Sequence, residues 1–171
     1  MQKKSIPLLL LCLFIVGCDN ADNHTNTSSK LTSSVNSLSL QNEADIRTDL
    51  KLINTIINNS NNEAITIRNS LSQAMQNHDK ESIKSVIAKS KKLLETTNSS
   101  LAAMNIKSQE VEKVRTGIID GNNLALKLQE ISSKTELTSE DKNEIALLQK
   151  QSIEIQKKVG QELDSLNKSY N

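Results

Sequence analysis

Few side chains in this sequence could act as a nucleophile, a redox centre or a metal ligand. The 171 residues include two cysteines and two histidines, which are suited to covalent modification, nucleophilic attack and proton or metal binding. Cys18 is the most informative of them, because it ends the stretch Ile15-Val16-Gly17-Cys18. A thiol directly behind an apolar run is a candidate for covalent modification.

The residues before Cys18 have the composition of a targeting segment. Lys3 and Lys4 precede an apolar run from Ile6 to Gly17, whose 12 residues fall short of the ~20 that a membrane-spanning helix needs. Polar residues follow the run directly. A basic start, a short apolar run and a small residue before the break are typical of a cleaved signal. An ordinary secretory signal and a transmembrane helix are the alternatives.

The stretch Ile15-Val16-Gly17-Cys18 resembles the lipobox of bacterial lipoprotein signal peptides. The resemblance implies that residues 1–17 are removed and that Cys18 is the lipid-attachment site, with diacylglycerol on its sulfur and palmitate or another acyl chain on its new amine. Two or three such chains hold a protein firmly at a membrane, since each buried CH₂ contributes roughly 0.8 kcal/mol. The implied location is the cell membrane, on the extracytoplasmic (periplasmic) face.

The residues that follow Cys18 bear on sorting within the cell envelope. An Asp at the position of Asp19 resembles the inner-membrane retention signal of Gram-negative lipoproteins, and Asn20 is the second candidate sorting residue. The resemblance therefore favours the inner membrane over the outer membrane.

Removal of residues 1–17 changes the composition of the chain. The 21 basic residues fall to 19 because Lys3 and Lys4 are lost, while all 20 acidic residues remain. A formal charge of −1 is not the basic footprint of a nucleic-acid-binding protein, so we expect no nucleic-acid partner. Cys18 is the only cysteine that remains, and its lipidation excludes a disulfide within the chain.

The remaining candidates for catalysis or metal binding are two histidines. His24 lies in a polar segment, and His78 lies at the end of a predicted helix, where the helix dipole favours a cation. Neither has the spacing of a known metal motif, and the sequence contains no nucleophile elbow or phosphate-binding glycine loop. We therefore expect no catalytic residue, no metal, no cofactor and no enzymatic activity.

Residues 18–42 are predicted to form a flexible polar tether behind the lipidated cysteine. This segment is rich in Ser, Thr, Asn and Asp, and it has too few apolar residues to offset the entropy lost on folding. The alternative is a docked partial helix near Leu31 to Leu40, because Leu31, Val35 and Leu38 have helical spacing.

Residues 43–171 are predicted to form an all-α domain, an antiparallel up-down bundle of about four long helices with coiled-coil-like packing. Apolar residues recur at gaps of three and four in four segments, which is the stripe of an amphipathic helix. The four stripes begin at Ile46, Ile83, Val111 and Ile145. Short polar turns between long segments favour antiparallel neighbours.

The sequence permits either one continuous first helix or two shorter ones. Its stripe predicts a single helix over about 44–77, but the asparagine-rich residues 58–62 weaken it by roughly 2–3 kcal/mol relative to alanine. A preserved heptad frame favours one helix, and a break at 58–62 is the alternative. The stripe consists of Ile46, Leu50, Ile53, Ile57, Ala64, Ile67, Leu71 and Ala74, with Ser60 between them.

The ends of the other helices carry capping signals. Asp79 and Ser108 are predicted N-caps, because their side-chain oxygens can accept hydrogen bonds from free backbone N–H groups. Thr138-Ser139-Glu140-Asp141 has the pattern of a capping box. Gly117 and Gly121 lie within the third helix, and their spacing is consistent with a close approach of two helices or with a weak point.

These features predict a membrane-anchored envelope lipoprotein that acts as a helical protein-interaction or structural module. The partner is expected to be another envelope protein or a second copy of the chain, because an unsatisfied apolar seam can accept a partner helix. A carrier or sensor of a small apolar ligand bound between the helices is one alternative. An immunity or inhibitor protein against an envelope-active protein is the other.

Overall fold

Apolar stripes at helical spacing determine the architecture. The computed structural model describes residues 38–170, which form four helices: α1 (Glu43–Gln76), α2 (Lys80–Ala102), α3 (Gln109–Ser132) and α4 (Ser139–Tyr170). Consecutive helices pack against each other through short connections, and the described residues contain no strand beyond one isolated β-bridge. The predicted all-α, antiparallel four-helix bundle is confirmed. The predicted signal peptide (1–17) and most of the predicted tether (18–42) lie outside the described residues.

The first helix is continuous through its asparagine-rich centre. It covers 34 residues without interruption, so the alternative of a break at 58–62 is wrong. Ile57 and Ala64, on either side of this stretch, are buried, and the hydroxyls of Ser60 and Thr97 on α2 lie 2.8 Å apart in a hydrogen bond. Burial on both sides of the weak stretch offsets its low helix propensity, which is a common tertiary effect.

The predicted caps of α2 and α4 are confirmed. The Asp79 carboxylate accepts from the Ser82 N–H at 3.0 Å. At the start of α4, the Asp141 N–H donates to the Thr138 hydroxyl at 3.1 Å, and the Thr138 N–H donates back to the Asp141 carboxylate at 2.9 Å. The Lys134 ammonium also bonds to this carboxylate. The Lys134 hydrogen bond, followed by those from Thr138, lowers the pKa of Asp141 to about 2.

The buried side chains form one large cluster and one small cluster. The large cluster lies where all four helices meet, and its members are Ile46, Leu50, Ile53, Ile57, Leu101, Ile106, Val111, Val114, Ile118, Val159 and Leu163. The small cluster joins the second half of α1 to α2 through Ala64, Ile67, Val86 and Leu93. The large cluster therefore holds the end of the bundle at which α1 begins.

Buried polar residues separate the apolar positions along the seam between the helices. Asn122 on α3 donates to Asn98 on α2 at 2.8 Å, and Gln129 on α3 donates to Ser90 on α2 at 2.9 Å. Buried amides and hydroxyls cost free energy unless they are paired, so these bonds fix the register between the two helices.

Of the two interpretations of the glycine spacing, the close approach of two helices occurs at Gly117. A Cβ atom at this position would lie 2.4 Å from Cγ2 of Val159 on α4, which is too short for any contact between carbon atoms. Gly117 therefore permits α3 and α4 to approach each other beside the main core.

The helices α2 and α4 lie on opposite sides of the bundle. Each packs against α3 and against α1, and α1 also contacts α3, whereas the described residues of α2 and α4 share no contact. In cross-section, α1 and α3 are therefore the pair of diagonally opposite helices that lie closer together. The outward faces of α2 and α4 point in different directions.

Candidate functional site: the junction between the N-terminal segment and the bundle

The residues predicted to carry the lipid signal precede the part of the chain that the structure describes. Ile15, Val16, Gly17, Cys18, Asp19 and Asn20 all lie outside residues 38–170. Their roles therefore remain predictions. The junction at which the chain arriving from Cys18 meets the bundle lies within the described residues.

The segment Leu38–Gln41 is attached to the bundle by backbone hydrogen bonds. The Ser39 N–H donates to the Lys107 carbonyl at 2.6 Å, and the Gln109 N–H donates to the Ser39 carbonyl at 2.9 Å. These bonds form the parallel bridge between Ser39 and Ser108. Leu38 is partly buried and packs against the large core cluster. The last residues of the predicted tether (18–42) are therefore docked on the bundle.

The end of this segment turns directly into α1. Gln41 has a φ of 57°, in the left-handed region, and its N–H donates to the Glu110 carboxylate at 2.8 Å. Asn42 then caps α1 by accepting from the N–H groups of Ala44 and Asp45 at 3.1 and 3.2 Å. A strained residue beside a cap persists only when several contacts hold it, and Glu110 supplies one of them.

Asp49 holds the loop to which the segment is attached. Its side chain is fully buried, and its Oδ2 atom accepts from the Lys107 N–H at 2.9 Å, the Ser108 N–H at 2.8 Å and the Ser108 hydroxyl at 2.7 Å. These donors lie at the N-terminus of α3, where the helix dipole favours a negative charge. Asp49 therefore links α1 to the start of α3.

The prediction that Ser108 caps α3 with its side chain is half correct. Ser108 is the N-cap residue by position, but its hydroxyl makes no capping bond to the helix and donates to Asp49 instead. The bond from the Ser108 hydroxyl to the Asp49 carboxylate is charge-assisted, and such bonds are about twice as strong as neutral ones. A carboxylate from α1 thus binds the N-cap residue itself.

Arg115 secures the other side of the same loop. Its guanidinium donates to the carbonyl of Met104 at 2.8 Å and pairs with Glu112 at 2.5 Å. Met104 follows the end of α2, where carbonyl groups lack helical partners and favour a cation. The loop between α2 and α3 is consequently held by an acid at one end and a base at the other.

The position of Asp49 in the sequence indicates its role. Asp49 lies three residues after Ile46 and four before Ile53, which places it on the buried stripe of α1. A carboxylate at such a position needs buried donors, so it indicates a polar contact between elements. The docking of Ser39 has no comparable signal, because its bonds are made by the backbone to residues that lie far along the chain.

The histidine within the described residues lies away from this junction. His78 is exposed in the turn between α1 and α2, with a φ of 51°. Within residues 38–170, no group of three or more His, Cys, Asp or Glu side chains is arranged to hold a metal ion. None of the helices in this range is long and apolar enough to cross a membrane.

Two outer surfaces differ in their chemistry. One is formed by the exposed lysines of α2, here called the α2 lysine face, and consists of Lys80, Lys84, Lys89, Lys91 and Lys92. The other contains the large apolar side chains of α1 and α4 that are about half exposed, here called the α1–α4 apolar residues. These are Leu52, Ile65, Leu147 and Ile153.

Comparison with known proteins identifies the family of the bundle. No curated protein and no solved structure matches the chain. The model of the family described as "Uncharacterised lipoprotein PM1805" matches residues 47–171, which is most of the chain and nearly all of the bundle. That match is independent of the lipobox at residues 15–18, and both indicate a lipid anchor. The chain therefore belongs to this family of bacterial lipoproteins.

Proposed function

We propose that this lipoprotein is a non-catalytic interaction module that binds another envelope protein through the α1–α4 apolar residues. Membership of the family implies attachment to a membrane of the cell envelope. The finer placement is part of the proposal: Cys18 carries the lipid, acylation includes palmitate, and the domain faces the periplasm from the inner membrane. The junction at Ser39 fixes the point at which the chain enters the bundle.

The observation that carries this proposal is the distribution of exposed apolar side chains. Leu52 and Ile65 on α1 are 48% and 49% exposed, and Leu147 and Ile153 on α4 are 55% and 57% exposed. Apart from Leu40, before α1, all the large apolar side chains recorded as exposed within residues 38–170 lie on these two helices. The two helices are neighbours. Exposed apolar side chains on adjacent helices can serve as anchors for a partner helix.

The two carboxylates that are buried within residues 38–170 are used for structure. Oδ2 of Asp49 is occupied by Lys107 and Ser108, and Asp141 is occupied by Thr138 and Lys134. A catalytic acid or base must reach a substrate, and these two carboxylates are committed to the ends of helices. This arrangement supports a binding role over an enzymatic one.

Site-specific crosslinking in the native membrane tests the proposal. A photoreactive residue placed at Ile65 or Ile153 should give one discrete crosslinked protein, whereas the same residue at Leu40 should not, although Leu40 is 65% exposed. The double variant Ile65→Ser/Ile153→Ser should lose the product that is formed from a probe at Leu147, because each lost apolar contact weakens the interface.

Three results would contradict this assignment. Equal crosslinking from Leu40 and Ile65 would indicate non-specific proximity. A bound lipid or small molecule with no protein product would favour the carrier alternative. A product consisting of a second copy of the chain would replace the envelope partner with self-association.

A further inference from the structure

The positive charge of this protein is concentrated on one helix. α2 contains five lysines and two glutamates, a formal charge of +3, although the whole chain has a formal charge of only +1. α4 is a matched contrast, since it also contains five lysines but has six acidic residues among them. The α2 lysine face is therefore a local excess of charge and not a consequence of lysine content alone.

The two glutamates of α2 neutralise only part of this face. Glu81 pairs with Lys84 at 2.9 Å, and Glu95 lies 3.8 Å from Lys91. Lys80, Lys89 and Lys92 have no acidic partner within 4 Å among residues 38–170. All five lysines are exposed, and with about 3.6 residues per turn they spread over the half of α2 opposite its buried residues.

We propose that the α2 lysine face rests on the anionic phospholipid headgroups of the membrane that holds the lipid anchor. Phosphate groups at a membrane surface attract clustered lysines that lie within a Debye length. The lipid anchor keeps the bundle beside such a surface at all times, so the contact is effectively intramolecular and needs little affinity of its own. This inference rests on the membrane attachment that the family implies, and it is independent of the proposed protein partner.

The position of the junction permits this orientation. The segment Leu38–Gln41 is attached to the loop that follows the C-terminus of α2, and the lysine face begins at the opposite end of that helix. A helix of 23 residues is about 35 Å long. The 19 residues between Cys18 and Leu38 can span at most about 65 Å. The chain is therefore long enough for α2 to lie along the membrane.

The same orientation keeps the opposite side of the bundle away from the membrane. α2 and α4 share no contact within the described residues, so a membrane beneath α2 leaves Leu147 and Ile153 on α4 facing the aqueous compartment. The lysine face and the apolar residues of α4 can then be used at the same time.

Thiol labelling of the lipidated full-length protein in vesicles tests this orientation. Cys18 is consumed by the lipid, so Ala88→Cys on α2 and Gln151→Cys on α4 each introduce one exposed thiol. Labelling by a bulky, water-soluble maleimide is compared in phosphatidylcholine vesicles and in vesicles containing 30% phosphatidylglycerol. The rate at position 88 should fall roughly tenfold in the anionic vesicles at low salt and recover at ~1 M salt. The rate at position 151 should not change.

Matched charge variants separate the α2 lysine face from total charge. Lys84, Lys89, Lys91 and Lys92 replaced together by Gln should abolish the protection of position 88. The same replacement of Lys142, Lys150, Lys157 and Lys158 on α4 should leave it intact, as should replacement of the four α2 lysines by Arg. Equal rates at position 88 in both kinds of vesicle would overturn the inference. Equal loss of protection in the α2 and α4 variants, or equal protection of positions 88 and 151, would overturn it as well.

Discussion

Asp49 on α1 accepts hydrogen bonds from both the N–H and the hydroxyl of Ser108, at 2.8 and 2.7 Å. The two residues are far apart in sequence, and Ser108 also forms the bridge with Ser39. One buried carboxylate thus connects the first helix, the start of the third helix and the segment that arrives from the lipid anchor.

Replacement of Asp49 by Ala should destabilise the bundle by about 2–4 kcal/mol, because it leaves buried backbone donors without a partner. Urea unfolding followed by circular dichroism measures this change. Asp120→Ala is the matched control, since Asp120 is exposed in the interior of α3, and it should change the stability by no more than about 0.5 kcal/mol. Equal effects of the two substitutions would show that Asp49 does not hold the loop.

Replacement of glycine by alanine should have opposite effects on stability at two positions. Gly117→Ala should be destabilising by about 1–2 kcal/mol, because its Cβ would overlap Val159 and a valine in a helix has little freedom to rotate away. Gly160→Ala should be stabilising by up to about 1 kcal/mol, because alanine favours a helix and nothing lies within 4 Å of its Cβ. A stabilising Gly117→Ala would contradict the close approach of α3 and α4. Thermal melts of both variants suffice.

The capping bonds of Asp141 should make the stability of the bundle depend on pH in the acidic range. The pKa of Asp141 is lowered from 3.8 to about 2 in the folded protein. A lowered pKa means that its stabilising effect is complete above about pH 4 and is lost as the pH falls through 2. Asp141→Asn should therefore be less stable than the unmodified protein at pH 6, and the difference should shrink between pH 4 and 2. Glu140→Gln, at the neighbouring exposed position, should show no such convergence in urea titrations.

The fold could be predicted from the sequence because its determinants are local. Heptad stripes located all four helices, and the preserved frame through Asn58–Asn62 indicated correctly that α1 is unbroken. The sequence also predicts the capping box at Thr138, which depends on a few neighbouring residues, and it offers a close approach at Gly117 as one of two alternatives.

The junction could not be predicted in the same way. The docking of Ser39 depends on backbone groups of Lys107 and Gln109, and every residue except proline carries such groups. The hydroxyl of Ser108 can accept from N–H groups of α3 or donate to a carboxylate, and only the folded chain brings Asp49 close enough for the second bond. The lipid-signal residues lie outside the described range, so the sequence remains the sole basis for their assignment.

Metabolic labelling with an alkyne fatty acid tests most directly whether Cys18 attaches this bundle to a membrane. The unmodified protein should incorporate the label and sediment with membranes. Cys18→Ser should lose the label and either remain unprocessed or appear in the soluble fraction, whereas Cys12→Ser, within the predicted signal peptide, should behave like the unmodified protein. A processed Cys18→Ser protein that still incorporates the label and remains membrane-bound would contradict the assignment.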